Sequence, residues 1–212
     1  MPELNEVDID ITDDRIDVTQ RTLRARDLMP LATFERRRRR LQAEVQAHRA
    51  DRAVQMGPAA TLNFENEMTV RFRLQEILRE GAISGDAAVQ AEIDVYASLI
   101  PDGSNLKATF RLEFGDAEER AIRLAQLRGV ENYVWMQVEG SPRTYAIADR
   151  DLDRAGADQD AALHYLRFEL TADVVRWLRQ GRPLSFGVDH PAYNARRPVA
   201  ENVRQSLIKD LQ

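Results

Sequence analysis

The hydrophobic period of this chain changes once, near Asp102-Gly103, and that change limits the folds open to it. Before it, apolar residues recur every three or four positions, as one buried face of a helix requires; after it they alternate, as a half-buried strand requires. Over 31–55, Phe34, Leu41, Val45 and His48 keep helical spacing until Gly57-Pro58 stops the run. A second helix starts near Asn63 or Asn66, either of which can cap it, and carries Val70, Leu74, Ile77 and Leu78 to Gly81. A third follows Asp86, buries Val89, Ile93 and Tyr96, and ends before Pro101. Strict alternation over 108–114 then puts Phe110, Leu112 and Phe114 on one face. Further strands are expected over 133–139, 144–149, 163–170 and 184–190, the first two joined by a Gly140-Ser141-Pro142 hairpin turn. Helices over 116–128, 171–179 and 199–211 complete the pattern.

Helices first and one-sided strands afterwards predict an α+β fold: a mainly antiparallel sheet of about five strands with helices packed on one face, plus a helical N-terminal subregion. Residues 21–212 are expected to form a single domain, helical over 21–100 and sheet-containing over 101–212. Residues 1–20 hold seven acids and one arginine, a charge density that favours a disordered arm over a short edge strand.

At 212 residues, 43% of them apolar, the chain can bury a sizeable core. No run approaches the ~20 apolar residues of a membrane span, so no membrane partner is expected. The acidic start lacks the features of a signal peptide, which points to the cytoplasm. The absence of cysteine excludes disulfides, thiolate zinc sites, cysteine-ligated iron–sulfur clusters and a thiol nucleophile. A formal charge of −5 argues against bulk nucleic-acid binding. Arginine outnumbers lysine 28 to 2, Lys107 and Lys209 being the two lysines, which reads as codon preference with no bearing on mechanism.

The run Arg36 to Arg40 cannot form one basic stripe, because successive helical residues step by about 100°. It reads as a solvated helix with local ion pairs, RNA or anion binding being the alternative. Gly57-Pro58-Ala59-Ala60-Thr61 lacks the lysine of a phosphate-binding loop and reads as a reversal between two helices. No dinucleotide fingerprint, Gly-x-Ser-x-Gly elbow or His-Glu-x-x-His helix is present.

All three histidines fall on expected inner faces: His48 on the long helix, His164 beside Leu166 and Phe168, and His190 beside Leu184, Phe186 and Val188. If the last two strands are antiparallel neighbours with residue 167 opposite 187, His164 falls opposite His190; if they are parallel, the two cannot cooperate. Of the acids Glu65, Glu76 and Glu80, Glu76 is the preferred fourth ligand, with Glu80 one turn away and Glu65 about 16 Å along the helix. Such a set would suit a zinc or non-haem iron ion, whereas hydrogen-bonded core histidines are the commoner outcome. In Asp189-His190-Pro191-Ala192-Tyr193, alternation keeps Asp189 from orienting His190 unless Pro191 breaks the strand. His164, His190 and Tyr193 are the catalytic candidates, Tyr193 reading first as a structural corner residue. No cofactor-binding motif is present, and any metal would be held by His48, His164, His190 and Glu76.

Taken in order, Gly57-Pro58-x-x-Thr61-x-x-Phe64-Glu65-Asn66, Gln75-Glu76-x-Leu78-Arg79, Leu99-Ile100-Pro101, Leu163-His164-Tyr165-Leu166-Arg167-Phe168 and Asp189-His190-Pro191-Ala192-Tyr193 resemble an uncharacterised bacterial family, domain of unknown function 3501. The resemblance covers roughly residues 21–212. It implies no established activity; members are encoded beside rubrerythrin-like proteins and an iron–sulfur oxidoreductase, which implies a part in peroxide defence or electron transfer. A chain without cysteine would serve there as a partner, an assembly aid or a His/carboxylate metalloprotein. The expected function is therefore a non-catalytic accessory or binding protein of a redox system, with a metal-dependent enzyme as the alternative and RNA or anion binding through the arginine-rich helix as a second.

Overall fold

The computed structural model of the chain describes residues 23–149 and 162–212, so the acidic arm expected over 1–20 lies outside the described residues. Six helices and nine strands are described: α1 (Leu31–Ala50), β1 (Ala53–Gln55), β2 (Ala60–Glu65), α2 (Glu67–Glu80), α3 (Asp86–Tyr96), β3 (Asn105–Leu112), α4 (Ala117–Gln126), β4 (Val134–Val138), β5 (Thr144–Tyr145), β6 (Ile147–Ala148), β7 (Leu163–Glu169), α5 (Ala172–Arg179), β8 (Leu184–His190), β9 (Tyr193–Pro198) and α6 (Glu201–Ile208). The fold is α+β, and every pairing between these strands is antiparallel. One sheet has five strands in the order β1-β2-β3-β7-β6; a second has four in the order β5-β4-β8-β9.

Alternation decides which face of each strand does what. Leu62 and Phe64 of β2, Ala108 and Phe110 of β3, and Leu166 and Phe168 of β7 share one apolar cluster with Val134, Met136, Phe186 and Val188 of the smaller sheet. Phe64 stands 4.9 Å from Phe186 and 6.4 Å from Phe168, so a three-ring contact bridges the two sheets. Leu163 and Tyr165, on the opposite face of β7, pack with Val70 and Leu74 of α2 and Ile93 and Tyr96 of α3. The five-stranded sheet thus carries helices on one face, as expected, and the second sheet on the other. Asn66, one of the two caps expected for the second helix, starts α2, and Asp116 and Thr171 cap α4 and α5.

Several boundaries differ from the sequence reading. The long helix ends at Ala50, because Arg52, Val54 and Met56 are all buried at every second position and draw 53–55 into the sheet as an edge strand. Gly57-Pro58 consequently reverses the chain between two strands, not two helices. Gly57 has φ +84°, and a Cβ there would stand 2.7 Å from the Tyr193 hydroxyl, so both conformation and contact require glycine. The strand expected over 144–149 divides: Thr144 and Tyr145 pair with β4, whereas Ile147 and Ala148 pair with β7, and the chain crosses between sheets at Ala146. Above all, β7 lies between β3 and β6 while β8 lies between β4 and β9, so the strands of His164 and His190 are not neighbours.

On the outer face of the smaller sheet Trp135 lies directly opposite Gly187. A Cβ on Gly187 would fall 2.0 Å from the indole, and the Arg143 guanidinium covers the same ring at 4.1 Å. Gly187→Ala should therefore destabilise the protein by about 1–3 kcal/mol through overpacking. Urea denaturation of the single and double variants checks this: in a Trp135→Leu background the same substitution should cost far less, and an equal cost in both would refute the contact.

Candidate functional site

The histidines do not assemble. Asn66 Oδ1 accepts from the backbone N–H of Thr69, which leaves its Nδ2 to donate to His48 Nε2 at 2.9 Å. His48 is therefore a strut between the end of α1 and the cap of α2. His164 is half-buried and its ring stacks 6.4 Å from Phe110, opposite it in the five-stranded sheet. His190 is buried in the smaller sheet, where Nδ1 accepts from the N–H of Ala192 at 3.2 Å and the ring meets Tyr133 edge-on at 5.0 Å. The cross-strand pairing expected of His164 and His190 does not occur, because their strands lie in different sheets.

Glu76 is committed to the α1–α2 seam. Arg38 grips both its oxygens, Nε at 2.7 Å and Nη2 at 2.8 Å, and Arg79 adds a third bond at 3.1 Å. Chiefly through the Arg38 hydrogen bonds, its carboxyl is held below the usual carboxylate range. Among the described residues no group of three or more His, Asp or Glu side chains is placed to hold a metal ion, so the zinc or iron set inferred from spacing does not form. Tyr193 donates to the carbonyl of Met56 and accepts from the N–H of Ala59, which pins the β8–β9 hairpin to the β1–β2 turn. That is the structural corner expected of it. Asp189 pairs with Arg143 and β8 continues unbroken through His190, so Asp189 does not orient the imidazole.

The arginine run diverges as helical geometry requires: Arg38 turns into the seam with Glu76, Arg40 pairs with Glu44 at the surface, and Arg36 donates to Thr33.

The concentration of polar chemistry lies instead on the helix-covered face of the larger sheet. Glu65, set aside in the sequence reading, is 2% exposed. Its carboxylate accepts from Thr69 Oγ1 at 2.5 Å, Thr109 Oγ1 at 2.7 Å and Arg73 Nη2 at 2.9 Å. Burial alone would raise its pKa, but Arg73, the two hydroxyls and nearby Arg49 prevail and hold it below the usual range. Arg73 also donates to the Tyr165 hydroxyl at 3.1 Å. Through Tyr165 this buried network reaches an open cleft.

The cleft encloses about 520 Å³. Its apolar wall comes from the 3₁₀ turn Ala97–Leu99, with Ile100 following, and from Ile147 on the sheet edge. Lys107, Tyr165 and Arg167 line the sheet side. Register explains the arrangement, since Lys107 is opposite Arg167 and Arg167 opposite Ile147 across three adjacent strands. Asp102 and Asp149 also line the cleft. Burial would raise the Asp102 carboxyl, but bonds from Ser104 and Asn105, with Lys107 nearby, keep it lowered. Arg167 holds Glu169 at 2.9 Å. By contrast, Lys107 neither donates a hydrogen bond nor closes an ion pair among the described residues. Sequence reasoning passed over Lys107 and Arg167, although a lone strand lysine in an arginine chain was a signal.

Two antiparallel sheets in contact, with helices on one outer face and a buried polar network that reaches an open cleft, define the class of protein. Its family follows directly: the chain belongs to the family described as Protein of unknown function (DUF3501), whose model matches residues 22–211. A crystal structure of a protein of unknown function from Burkholderia pseudomallei K96243 is similar to it at 41% identity, covering 90% of this chain and 100% of that one with a TM-score of 0.85. Among curated proteins, none matches the chain.

The Glu65 network generates a pH-linked expectation. Glu65→Gln preserves shape but strips Arg73 of its countercharge, and should cost about 3–5 kcal/mol at pH 7 by urea denaturation. Because the folded carboxyl titrates below the unfolded one, its contribution is complete above the unfolded value of ~4.3 and is lost as pH falls through the folded value. The gap between wild type and variant should therefore narrow below that pH; a constant gap down to pH 3.5 would contradict the assignment.

Proposed function

We propose that this protein is a non-catalytic binding protein that takes up a small organic anion in the cleft and serves as a cytoplasmic accessory of a redox or oxidative-stress system. The observation that carries the reading is the pairing of Lys107 with Arg167 on the sheet side of the cleft, facing an apolar wall. Glu169 offsets Arg167, but Lys107 has no bonded partner among the described residues, so an anion seated beside the two cations would complete it while the wall accepts a short hydrocarbon body. Its support includes the commitment of the other candidate groups to the fold: Glu65 and Glu76 are ion-paired, His48, His190 and Tyr193 are hydrogen-bonded, and His164 stacks on Phe110. The redox setting is what the family resemblance implies, with a rubrerythrin-like or iron–sulfur protein as partner. A chain with no cysteine would join such a system by binding and not by carrying a cluster. No described helix is long and apolar enough to cross a membrane.

Titration calorimetry with three- to six-carbon carboxylates tests the reading. Binding to wild type should weaken about tenfold in Lys107→Met or Arg167→Met, the equivalent of one charge-assisted hydrogen bond. Absence of binding by the wild-type protein, or equal binding by the variants, would refute it. The partner is tested by sedimentation with a purified rubrerythrin-like protein, where failure to co-sediment removes the redox setting but leaves the ligand site intact.

A further inference from the structure

The cleft contains chemistry that an electrostatic anion site does not require. The chain uses arginine 28 times and lysine twice. Its cations at other buried or half-buried places on the helix-covered side, Arg49, Arg52 and Arg73, are guanidinium groups. A guanidinium binds a carboxylate through a fixed fork and stays protonated, so arginine would serve a purely ionic site better. Lysine differs in one chemical respect, because its amine can lose a proton and become a nucleophile.

The surroundings of Lys107 favour that use. Burial first, and Arg167 second, push its ammonium below the ordinary lysine value, against the opposing pull of Asp102, Glu169 and Asp149. Among the described residues no hydrogen bond or ion pair occupies the amine, and it lines an open cleft with room for a small molecule. The Arg167 guanidinium lies directly across the strand pair, where it can hold a carboxylate adjoining the reacting carbon.

We propose that Lys107 captures a small oxo acid, a carbonyl compound bearing a carboxylate, as an imine, with Arg167 holding the carboxylate. This rests on the cleft being the ligand site. The neutral amine adds its electron pair to the carbonyl carbon, forming the C–N bond while the oxygen takes up a proton. With one amine proton already on that oxygen, transfer of the second, through water, lets the hydroxyl depart as water and leaves a carbon–nitrogen double bond. One water is released per carbonyl consumed, and nothing is oxidised or reduced. An imine formed this way is reversible, which suits a protein that carries or senses a reactive carbonyl.

The test uses the full chain with pyruvate and sodium cyanoborohydride, read by intact mass and peptide mapping. The chain supplies its own control, since Lys209 and the N-terminal amine are its other amines. Labelling is expected at Lys107 at least tenfold faster than at Lys209, to vanish in Lys107→Arg, and to slow about tenfold in Arg167→Gln. Excess propionate, which has the carboxylate and no carbonyl, should suppress labelling of Lys107 and leave Lys209 unchanged, a readout that needs no variant to fold. Equal labelling of the two lysines, or no labelling of Lys107, overturns the imine. If propionate nevertheless binds by calorimetry and loses affinity in Lys107→Met, the anion site stands and only the covalent step falls; if propionate does not bind either, both fall.

Discussion

A guanidinium with 1% exposure must have its N–H groups met by protein, and the way Arg52 meets them organises the chain around it. Nε donates to the carbonyl of Phe64, Nη2 to the carbonyl of Glu65 and to Asp210, and Nη1 to the carbonyl and hydroxyl of Ser206. One side chain thereby joins the corner after α1, the end of β2 and the C-terminal helix α6. Asp210 is driven by desolvation above its ordinary pKa, with Arg52 and His48 pulling the other way. Fixing the end of β2 fixes where Glu65 stands and where Asn66 begins α2. From α2 the constraint passes through Arg73 to Tyr165, which lines the cleft. The position of the cleft is thus set by a residue at the far end of a hydrogen-bonded chain.

Much of this was legible because it is local. The alternation over 108–114, the inner faces of His164 and His190, and the caps at Asn66, Asp116 and Thr171 are properties of a few successive residues. What was missed depends on distant partners. Glu65 ends a strand although it is acidic, because Thr69, Thr109 and Arg73 satisfy it, and no window around position 65 contains Thr109. Its neighbours Asn63 and Asn66 both look like caps, so the preceding strand was absorbed into a helix start. β9 carries Arg196, Arg197 and Pro198, which resemble a loop but are tolerable on an edge where one side of the ladder is free. Strand pairing is the least local property of all. That His164 and His190 each face inward was readable from alternation, whereas their assignment to different sheets was not.

The family motifs acquire a physical meaning that their order alone could not supply. Gly57 and Tyr193 are two halves of one joint: the glycine admits the phenol, and the phenol bonds both sides of the turn that the glycine makes. Gln75 uses its carbonyl and its amide on the backbone of Met29, fastening the entry of α1 to α2. Glu76 closes the same seam through Arg38. Phe64 and Phe168 meet Phe186 across the sheets. These residues hold pieces of the fold together, each bonding to or packing on backbone or side chains of its own chain.

Separating joints from sites leaves a simple physical criterion. A buried charge is tolerated in proportion to how completely its partners replace water. Arg52 and Arg73 meet that condition within the fold, and Glu201 brackets Arg204 with two bonds while the carbonyl of Leu178 takes a third. Lys107 stands apart: it is half-buried, adjacent to a second cation, and hydrogen-bonded to nothing described. Arg49 is also half-buried and lowered by burial, but as a guanidinium it keeps its proton, whereas an open amine at the centre of a sheet can lose one. Among the described residues no side chain bonds the Lys107 amine, and the cleft beside it has room for a small group.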